Sequence, residues 1–212
     1  MVPRHPLARK PAPGWPRAWL FSDERTAAGI AELAAILPPG SGIVFRHDRL
    51  APGARWRMFR RLARIARSRK LLLLLAGPSA LAKRWGADGV HLRQPLARRA
   101  AAAHRLGLLA AMPVRDGREA RAARRAGADA AFVSPLYPTR SHPGAPVLGR
   151  AAWLRLARLA GTQAVALGGM TPARARALRL AGARDAGWAA IDSCDEKAAP
   201  RRTRQKRKAA PT

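Results

Sequence analysis

Short apolar runs alternate along the chain with longer segments in which apolar residues recur at helical spacing. In one such segment, Ile30, Leu33 and Leu37 fall on a single helical face. The longer segments predict amphipathic helices with arginine-rich outer faces, and the runs predict buried strands. The predicted strands cover residues 19–22, 42–46, 70–75, 89–92, 106–111, 130–133, 164–167 and 188–191.

Strands that are apolar throughout and separated by helices are typical of a parallel sheet with its outer face covered. Eight such units over residues 18–194 predict an α/β fold, a compact single-domain (β/α)8 TIM barrel, with an open doubly wound sheet as the alternative. No helical pattern follows the last run, so we expect the eighth helix to be reduced or missing. The N-terminal segment, the C-terminal tail or a second subunit of a homo-oligomer would then cover the apolar flank left there.

Two segments, GADGVHL at 86–92 and AGADAAFV at 126–133, share one plan in which a helix ends at glycine and the chain turns into a buried strand. A glycine in the left-handed conformation is a common helix end. We therefore interpret the glycine and aspartate of each segment as scaffold. His91, on the strand of the first segment, is interpreted as an interior histidine rather than a catalytic one.

The composition is that of a globular domain with polar ends. Of the 212 residues, 48% are apolar, which suffices for one buried core. Residues 1–17 and the basic tail 195–212 lack apolar periodicity and are predicted to be disordered. Because Cys194 is the single cysteine and the longest apolar run, 71–76, is too short to span a bilayer, we expect a cytoplasmic protein without a membrane partner.

The chain is strongly basic: 41 Lys and Arg residues against 12 Asp and Glu residues leave a formal net charge of +29. Such a charge predicts a positive field that attracts phosphates, nucleic acid or anionic lipid, although solvated arginines on helix surfaces would give the same composition. Non-specific nucleic-acid binding through the tail at 195–212 is therefore one candidate function. No aromatic residues are interleaved in that tail to stack on bases.

The segment VALGGMTPARARAL at 165–178 combines a strand, a glycine pair and a helix start. Gly168 and Gly169 allow close approach to the backbone, and Thr171 is a natural N-cap. Free amides and the helix dipole at such a start favour an anion. Because barrel enzymes often bind phosphate after their seventh and eighth strands, we predict a phosphate cradle here, with an ordinary strand-to-helix turn as the alternative.

A long polar loop, SPLYPTRSHPGAPVLG at 134–149, follows the sixth predicted strand. Loops at the carboxyl ends of barrel strands carry the chemistry of such folds. The groups suited to phosphate or pyrophosphate oxygens are the hydroxyls, guanidinium and imidazole of Thr139, Arg140, Ser141 and His142. At the same end of the barrel, His47 and Asp48 follow the second predicted strand as a candidate acid/base pair.

Together these motifs resemble the thiamine phosphate synthase and thiazole tautomerase (TenI) superfamily over most of residues 19–192. The resemblance rests on GADGVHL, SPLYPTRSHPGAPVLG and VALGGMTP in this order, and LFSDER at 20–25 is similar to the family's first strand. It implies an enzyme of thiamine biosynthesis that condenses a pyrimidine pyrophosphate with a thiazole phosphate, or acts on a related thiazole phosphate, with Mg²⁺ assistance. A catalytically inactive barrel that binds small phosphorylated metabolites is the alternative.

The motifs and the resemblance together indicate a set of site residues. The substrate- or phosphate-binding candidates are Thr139, Arg140, Ser141, His142, Gly149, Gly168, Gly169, Thr171 and Gln94. Arg46 keeps an arginine that the family has on its second strand, and His142 stands where the family usually has lysine. These two residues are the catalytic candidates that the resemblance implies.

The sequence departs from the family where Mg²⁺ would be held. Gly77 and Leu96 stand where the family has carboxylates, and neither offers a side-chain oxygen to a hard cation. Arg115 replaces the histidine typical of the tautomerases. No metal ligand is therefore assigned, and the arginines at 46, 93, 115 and 140 are candidates for fixed positive charge in place of the metal.

Overall fold

The protein is a closed barrel of eight parallel strands in sequence order, as seen in a computed structural model that describes residues 15–24, 29–92, 99–139 and 144–190. The strands are β1 (Ala18–Phe21), β2 (Gly42–Phe45), β3 (Leu72–Ala76), β4 (Gly89–His91), β5 (Leu109–Val114), β6 (Ala130–Val133), β7 (Gln163–Ala166) and β8 (Gly187–Ala190). The helices are α1 (Ile30–Ile36), α2 (Pro52–Ser68), α3 (Ser79–Trp85), α4 (Ala100–Arg105), α5 (Gly117–Arg125), α6 (Gly149–Ala160) and α7 (Pro172–Leu180). The predicted TIM barrel is confirmed, and the pairing of β1 with β8 excludes the open sheet.

Seven of the predicted strands lie within two residues of the observed ones, but the fifth was placed three residues too early. Leu106 ends α4, and Gly107 follows at φ +73°. The strand runs on through Pro113 to Val114, whose register partner is Val133 on β6. The apolar run at 106–111 therefore contains both the end of a helix and the start of a strand. Because proline is uncommon inside strands, Pro113 did not suggest that the strand continues to Val114.

A tryptophan fills the amino-terminal half of the barrel interior. Trp19 is 1% exposed, and its Nε1 donates a hydrogen bond to the Pro16 carbonyl oxygen at 2.9 Å. A Cβ atom added to Gly42 on the neighbouring strand would collide with the Trp19 ring. The absence of a side chain at Gly42 therefore gives the indole its space. The inner cluster consists of Trp19, Phe21, Val44, Leu74, Ala111, Ala130, Phe132, Val165 and Ala189.

The two Gly-Ala-Asp turns are scaffold, as predicted. Asp88 accepts a hydrogen bond from the Leu73 backbone N–H at 2.7 Å. Asp129 accepts one from the Ala110 N–H at 2.8 Å, and its carboxylate also lies 2.8 Å from His104 Nε2. Each aspartate thus fixes the amino-terminal end of the preceding strand, at the amino-terminal end of the barrel. The helix-ending glycines that precede them have φ of +73° and +67°.

Some predictions fall outside the described residues. The eighth helix would follow residue 190, and the basic tail 195–212 and most of segment 1–17 also lie beyond the described part of the chain. Their order and the boundaries of the barrel domain stay predictions. Among the residues that the structure describes, no helix has the length and apolar character needed to cross a membrane.

Candidate functional site

A cavity of about 670 Å³ opens at the carboxyl ends of the strands. Its walls come from β1, β2, β4, β5, β6, β7 and β8 or from the loops that follow them, and from the first turn of α7. Aromatic and aliphatic side chains such as Phe21, Phe132 and Leu148 form the apolar part. The charged or titratable lining residues are Arg46, His91, Arg115 and Arg174. The cavity therefore lies where TIM barrels keep their functional groups.

The predicted glycine cradle forms one wall of this cavity. Gly168 and Gly169 have φ of +96° and +60°, a conformation that side chains disfavour. A Cβ atom on Gly168 would lie 2.8 Å from Pro135 Cβ, and one on Gly169 would lie 2.9 Å from Tyr137 Cβ. The loop after β6 thus lies close against the glycine backbone, and the predicted approach of an anion to it stays a prediction.

Two hydrogen bonds join this loop to the cradle. The Leu136 N–H donates to the Leu167 carbonyl at 2.9 Å, and the Tyr137 N–H donates to the Gly168 carbonyl at 3.2 Å. The first residues of the loop after β6 are therefore hydrogen-bonded alongside the residues that follow β7. The described residues 134–139 and the turn at 167–171, which the sequence singled out separately, therefore lie side by side in one wall.

The start of α7 has the geometry expected of an anion-binding helix end. Thr171 is the N-cap, its Oγ1 accepts from the Arg174 N–H at 3.3 Å, and Pro172 is the first helical residue. Within the described ranges, the backbone N–H groups of Gly169, Met170 and Thr171 donate no hydrogen bond. These N–H groups and the positive end of the helix dipole are therefore available to an anion.

The structure describes only part of the predicted pyrophosphate loop. Thr139 lines the cavity, together with Ser134 and Pro138. Gly149, at φ +67°, begins α6 next to the lining residue Leu148. Three other candidates, Arg140, Ser141 and His142, lie outside the described residues, as does Gln94. The binding roles of all these residues stay predictions.

Arg46 reaches the cavity from the end of β2 and is anchored to the end of β1. Its backbone N–H donates to Ser22 Oγ at 2.7 Å, and its Nε donates to the Ser22 carbonyl at 3.0 Å. Its Nη2 lies 3.1 Å from an oxygen of Asp23, whose side chain is only 7% exposed. The carboxylate and Ser22 hold the guanidinium in place, and the guanidinium lies 5.6 Å from the centre of the Phe21 ring.

His47 and Asp48 were predicted as an acid/base pair, and the structure gives each a different partner. His47 Nδ1 lies 2.9 Å from Ser22 Oγ, and the imidazole stacks on Phe45. Asp48 pairs with Arg55 at 3.0 Å. Burial lowers the pKa of His47, with the nearby arginines Arg46 and Arg55 acting in the same direction and Glu24 and Asp23 opposing it. His47 is therefore a buried, neutral support for the β1 and β2 ends, and it does not line the cavity.

His91 is buried, as expected, but it also lines the cavity. Its imidazole meets Phe21 and Phe132 edge to face at centroid distances of 5.4 and 5.3 Å. The prediction of an interior position is confirmed. The aromatic contacts place the ring in the cavity floor.

Sequence reasoning missed Arg174 and Tyr137. Arg174 occupies the first turn of α7, donates from Nη1 to the Gly169 carbonyl, and places its guanidinium 4.6 Å from the centre of the Tyr137 ring. The helical position of Arg174 relative to Thr171 was available as a signal, because the third residue after an N-cap lies in the helix's first turn. The contact with Tyr137 depends on the packing of the loop after β6 against α7, so no local sequence pattern indicates it.

The described residues do not fit a carboxylate-held Mg²⁺. No Asp or Glu is among the described lining residues, and no group of three potential metal ligands occurs in the described part of the chain. Asp23, near the cavity mouth, is engaged with Arg46. Mg²⁺ prefers oxygen ligands with at least one or two carboxylates, whereas the lining here offers guanidinium groups.

A family model described as thiamine monophosphate synthase (TMP-TENI) matches residues 21–193. The chain belongs to this family. The match includes the cradle, the loop after β6 and the arginine-bearing end of β2, so the resemblance derived from the motifs is confirmed.

Individual relatives agree with the family match. The chain is 34% identical to a thiamine-phosphate synthase of Chromobacterium violaceum over 153 residues, which is 71% of this chain and 73% of that protein. It is 37% identical over 165 residues to the thiamine biosynthesis bifunctional protein ThiM/ThiE of Symbiobacterium thermophilum, covering 76% of this chain but only 34% of that longer protein. The chain therefore spans about a third of the length of this bifunctional relative.

A solved structure supports the same fold. The thiamine phosphate pyrophosphorylase of Pyrococcus furiosus superposes with a TM-score of 0.70 at 22% identity, covering 82% of this chain and 85% of that one. At this identity the likeness establishes the shared barrel.

Proposed function

We propose that this barrel is a thiamine phosphate synthase that joins a pyrimidine pyrophosphate to a thiazole phosphate and releases pyrophosphate. The observation that carries the proposal is the wall built from two family motifs, in which the cradle at 168–171 and the loop after β6 line one cavity. Such a cavity of about 670 Å³ falls within the usual range for small-ligand sites. The family membership supplies the reaction class.

We assign the thiazole phosphate to the cradle. The unused N–H groups of Gly169, Met170 and Thr171 and the α7 dipole would bind its oxygens. The pyrimidine pyrophosphate would lie towards Thr139 and Arg46, with the heterocycles between Phe21 and Leu148. In this arrangement the heterocyclic rings contact the apolar lining, and the phosphate groups contact the polar rim of the cavity.

In the reaction a new bond joins the two heterocycles while the bond from the pyrimidine's carbon to the pyrophosphate oxygen breaks. The electron pair of the broken bond leaves with pyrophosphate, so negative charge grows on that group. Arg46 is held by Ser22 and Asp23 before substrate arrives, and a preorganised guanidinium stabilises such charge without reorganising. His142, in the same loop as Thr139, is proposed to add charge when protonated.

The test is formation of thiamine phosphate from both substrates by the purified full chain, with each substrate omitted in turn and with Mg²⁺ or EDTA present. We expect product only with both substrates, and a lower kcat for Arg46→Gln. Arg176→Gln is the matched control, because Arg176 does not line the cavity. No product at high enzyme concentration, with thiazole phosphate still bound, would show a binding protein instead of a synthase.

A further inference from the structure

We propose that Arg174 binds the phosphate group held in the cradle and supplies its positive charge, an inference that rests on the proposed function of that site. Arg174 is placed at the cradle by α7, whose first turn contributes both Thr171 and Arg174 to the cavity lining. It is thus on the same wall as the N–H groups of Gly169, Met170 and Thr171.

Two contacts fix the guanidinium beside the cradle. Its Nη1 donates to the Gly169 carbonyl, and its Cζ lies over the Tyr137 ring, 4.6 Å from the ring centre. Stacking on an aromatic face and a bond to backbone restrict the long side chain before a ligand binds. A side chain that is already ordered loses less conformational entropy on binding, so these contacts favour a binding role.

The three lining arginines differ in how their charge is balanced. Arg46 pairs with Asp23 at 3.1 Å, and Arg115 lies 3.6 Å from Glu119. Arg174 forms no ion pair with any residue in the described ranges. Its positive charge is therefore the one that an anion at the cradle would meet without competition from a described carboxylate.

The chemistry of a guanidinium suits this position. Arginine carries five N–H donors, and the bond to the Gly169 carbonyl uses one of them. The remaining donors can form paired, charge-assisted hydrogen bonds to phosphate oxygens, while the backbone N–H groups bind the other oxygens. One negative charge of a phosphate monoester would then be balanced by Arg174, on a wall whose described residues include no carboxylate.

The experiment is calorimetric titration of the full chain with inorganic phosphate in EDTA at low salt, comparing wild type, Arg174→Gln, Arg174→Lys and Arg176→Gln. Arg176 lies on the same helix and outside the cavity lining, so its variant loses the same charge from nearly the same place. We expect Arg174→Gln to weaken phosphate binding by roughly tenfold or more, and Arg176→Gln by less than about twofold. The phosphate affinity of Arg174→Lys should lie between those of wild type and Arg174→Gln, because lysine keeps the positive charge but lacks the paired N–H donors of the guanidinium.

Equal affinities for Arg174→Gln and wild type would overturn the proposal, and so would equal losses in the two glutamine variants or no phosphate binding by wild type. Melting temperatures and far-UV circular dichroism of each variant show whether it is folded. If Arg174→Gln is not folded, Arg174→Lys is compared with wild type instead. The phosphate titration involves no thiamine synthesis. Retained phosphate binding through Arg174 without product would thus refute the synthase and leave the Arg174 site standing.

Discussion

The two ends of the barrel use charge in opposite ways. At the amino-terminal end, Asp88 and Asp129 turn their carboxylates onto backbone N–H groups of neighbouring strands. At the carboxyl end, arginines line the cavity, and the described lining includes no carboxylate. Backbone N–H groups are consumed at the first end, whereas those of Gly169 and Met170 at the second have no described acceptor.

Gly86 and Gly168, one at each end of the barrel, also differ. Gly86 has φ +73°, and a Cβ atom there would meet nothing within 4 Å, so its role is to end a helix. Gly168 has φ +96°, and a Cβ atom would press on Pro135. Glycine thus serves conformation alone at Gly86, and conformation plus close packing at Gly168. Polar groups that are satisfied internally stabilise the fold, whereas N–H donors that remain available can bind a ligand.

The largest expected effect comes from substituting these two glycines. Gly168→Ala should lower the free energy of unfolding by about 2–5 kcal/mol and abolish phosphate binding, because backbone strain adds to a clash with Pro135. Gly86→Ala should cost about 1–2 kcal/mol, from the left-handed backbone alone, and leave phosphate binding intact. Urea denaturation and phosphate titration measure both. Equal stability losses would erase the distinction drawn between the two ends.

An intermediate effect is expected from Asp129. Asp129→Ala leaves the Ala110 N–H without its acceptor and removes the contact with His104, so stability should fall by about 1–3 kcal/mol. The affinity for phosphate at the opposite end should stay unchanged. Asp129→Asn keeps an acceptor oxygen and should cost less in the same urea titration. A weaker phosphate affinity in folded Asp129→Ala would contradict the structural role of this end.

The smallest effect concerns the buried histidine beside the cavity. Burial lowers the pKa of His47 in the folded state, so the unfolded chain binds the proton more readily. The stability contributed by neutral His47 is therefore present above the ordinary histidine pKa of about 6.5 and is lost as pH falls below it, by at most about 1.4 kcal/mol per pH unit.

Replacement of His47 by asparagine tests this dependence, since asparagine tolerates the φ of +43° at this position. The difference in melting temperature between wild type and His47→Asn should change as pH falls from 7.5 to 5, with the wild type losing more. Parallel curves for the two proteins would show that His47 does not contribute to the acid sensitivity.

Local patterns in the sequence determined most of the scaffold. Alternating apolar runs and helical periodicities predicted the barrel and placed seven strands, because period and burial are properties of neighbouring residues. The glycine pair and Thr171 likewise predicted the start of α7, because backbone conformation and helix capping also depend on neighbouring residues. The fifth strand was misplaced because Pro113 is accepted in a strand only through its place in the barrel.

Only the tertiary structure decided how the cavity is charged. The bond of Arg46 to Asp23 requires β1 and β2 to lie side by side, and the stacking of Arg174 on Tyr137 requires the loop after β6 to reach α7. A sequence with 41 basic residues cannot mark which of them is balanced by a carboxylate, because that depends on distances across the closed barrel. The sequence thus determined the barrel and the glycine turn before α7, and folding placed Arg174 beside that turn.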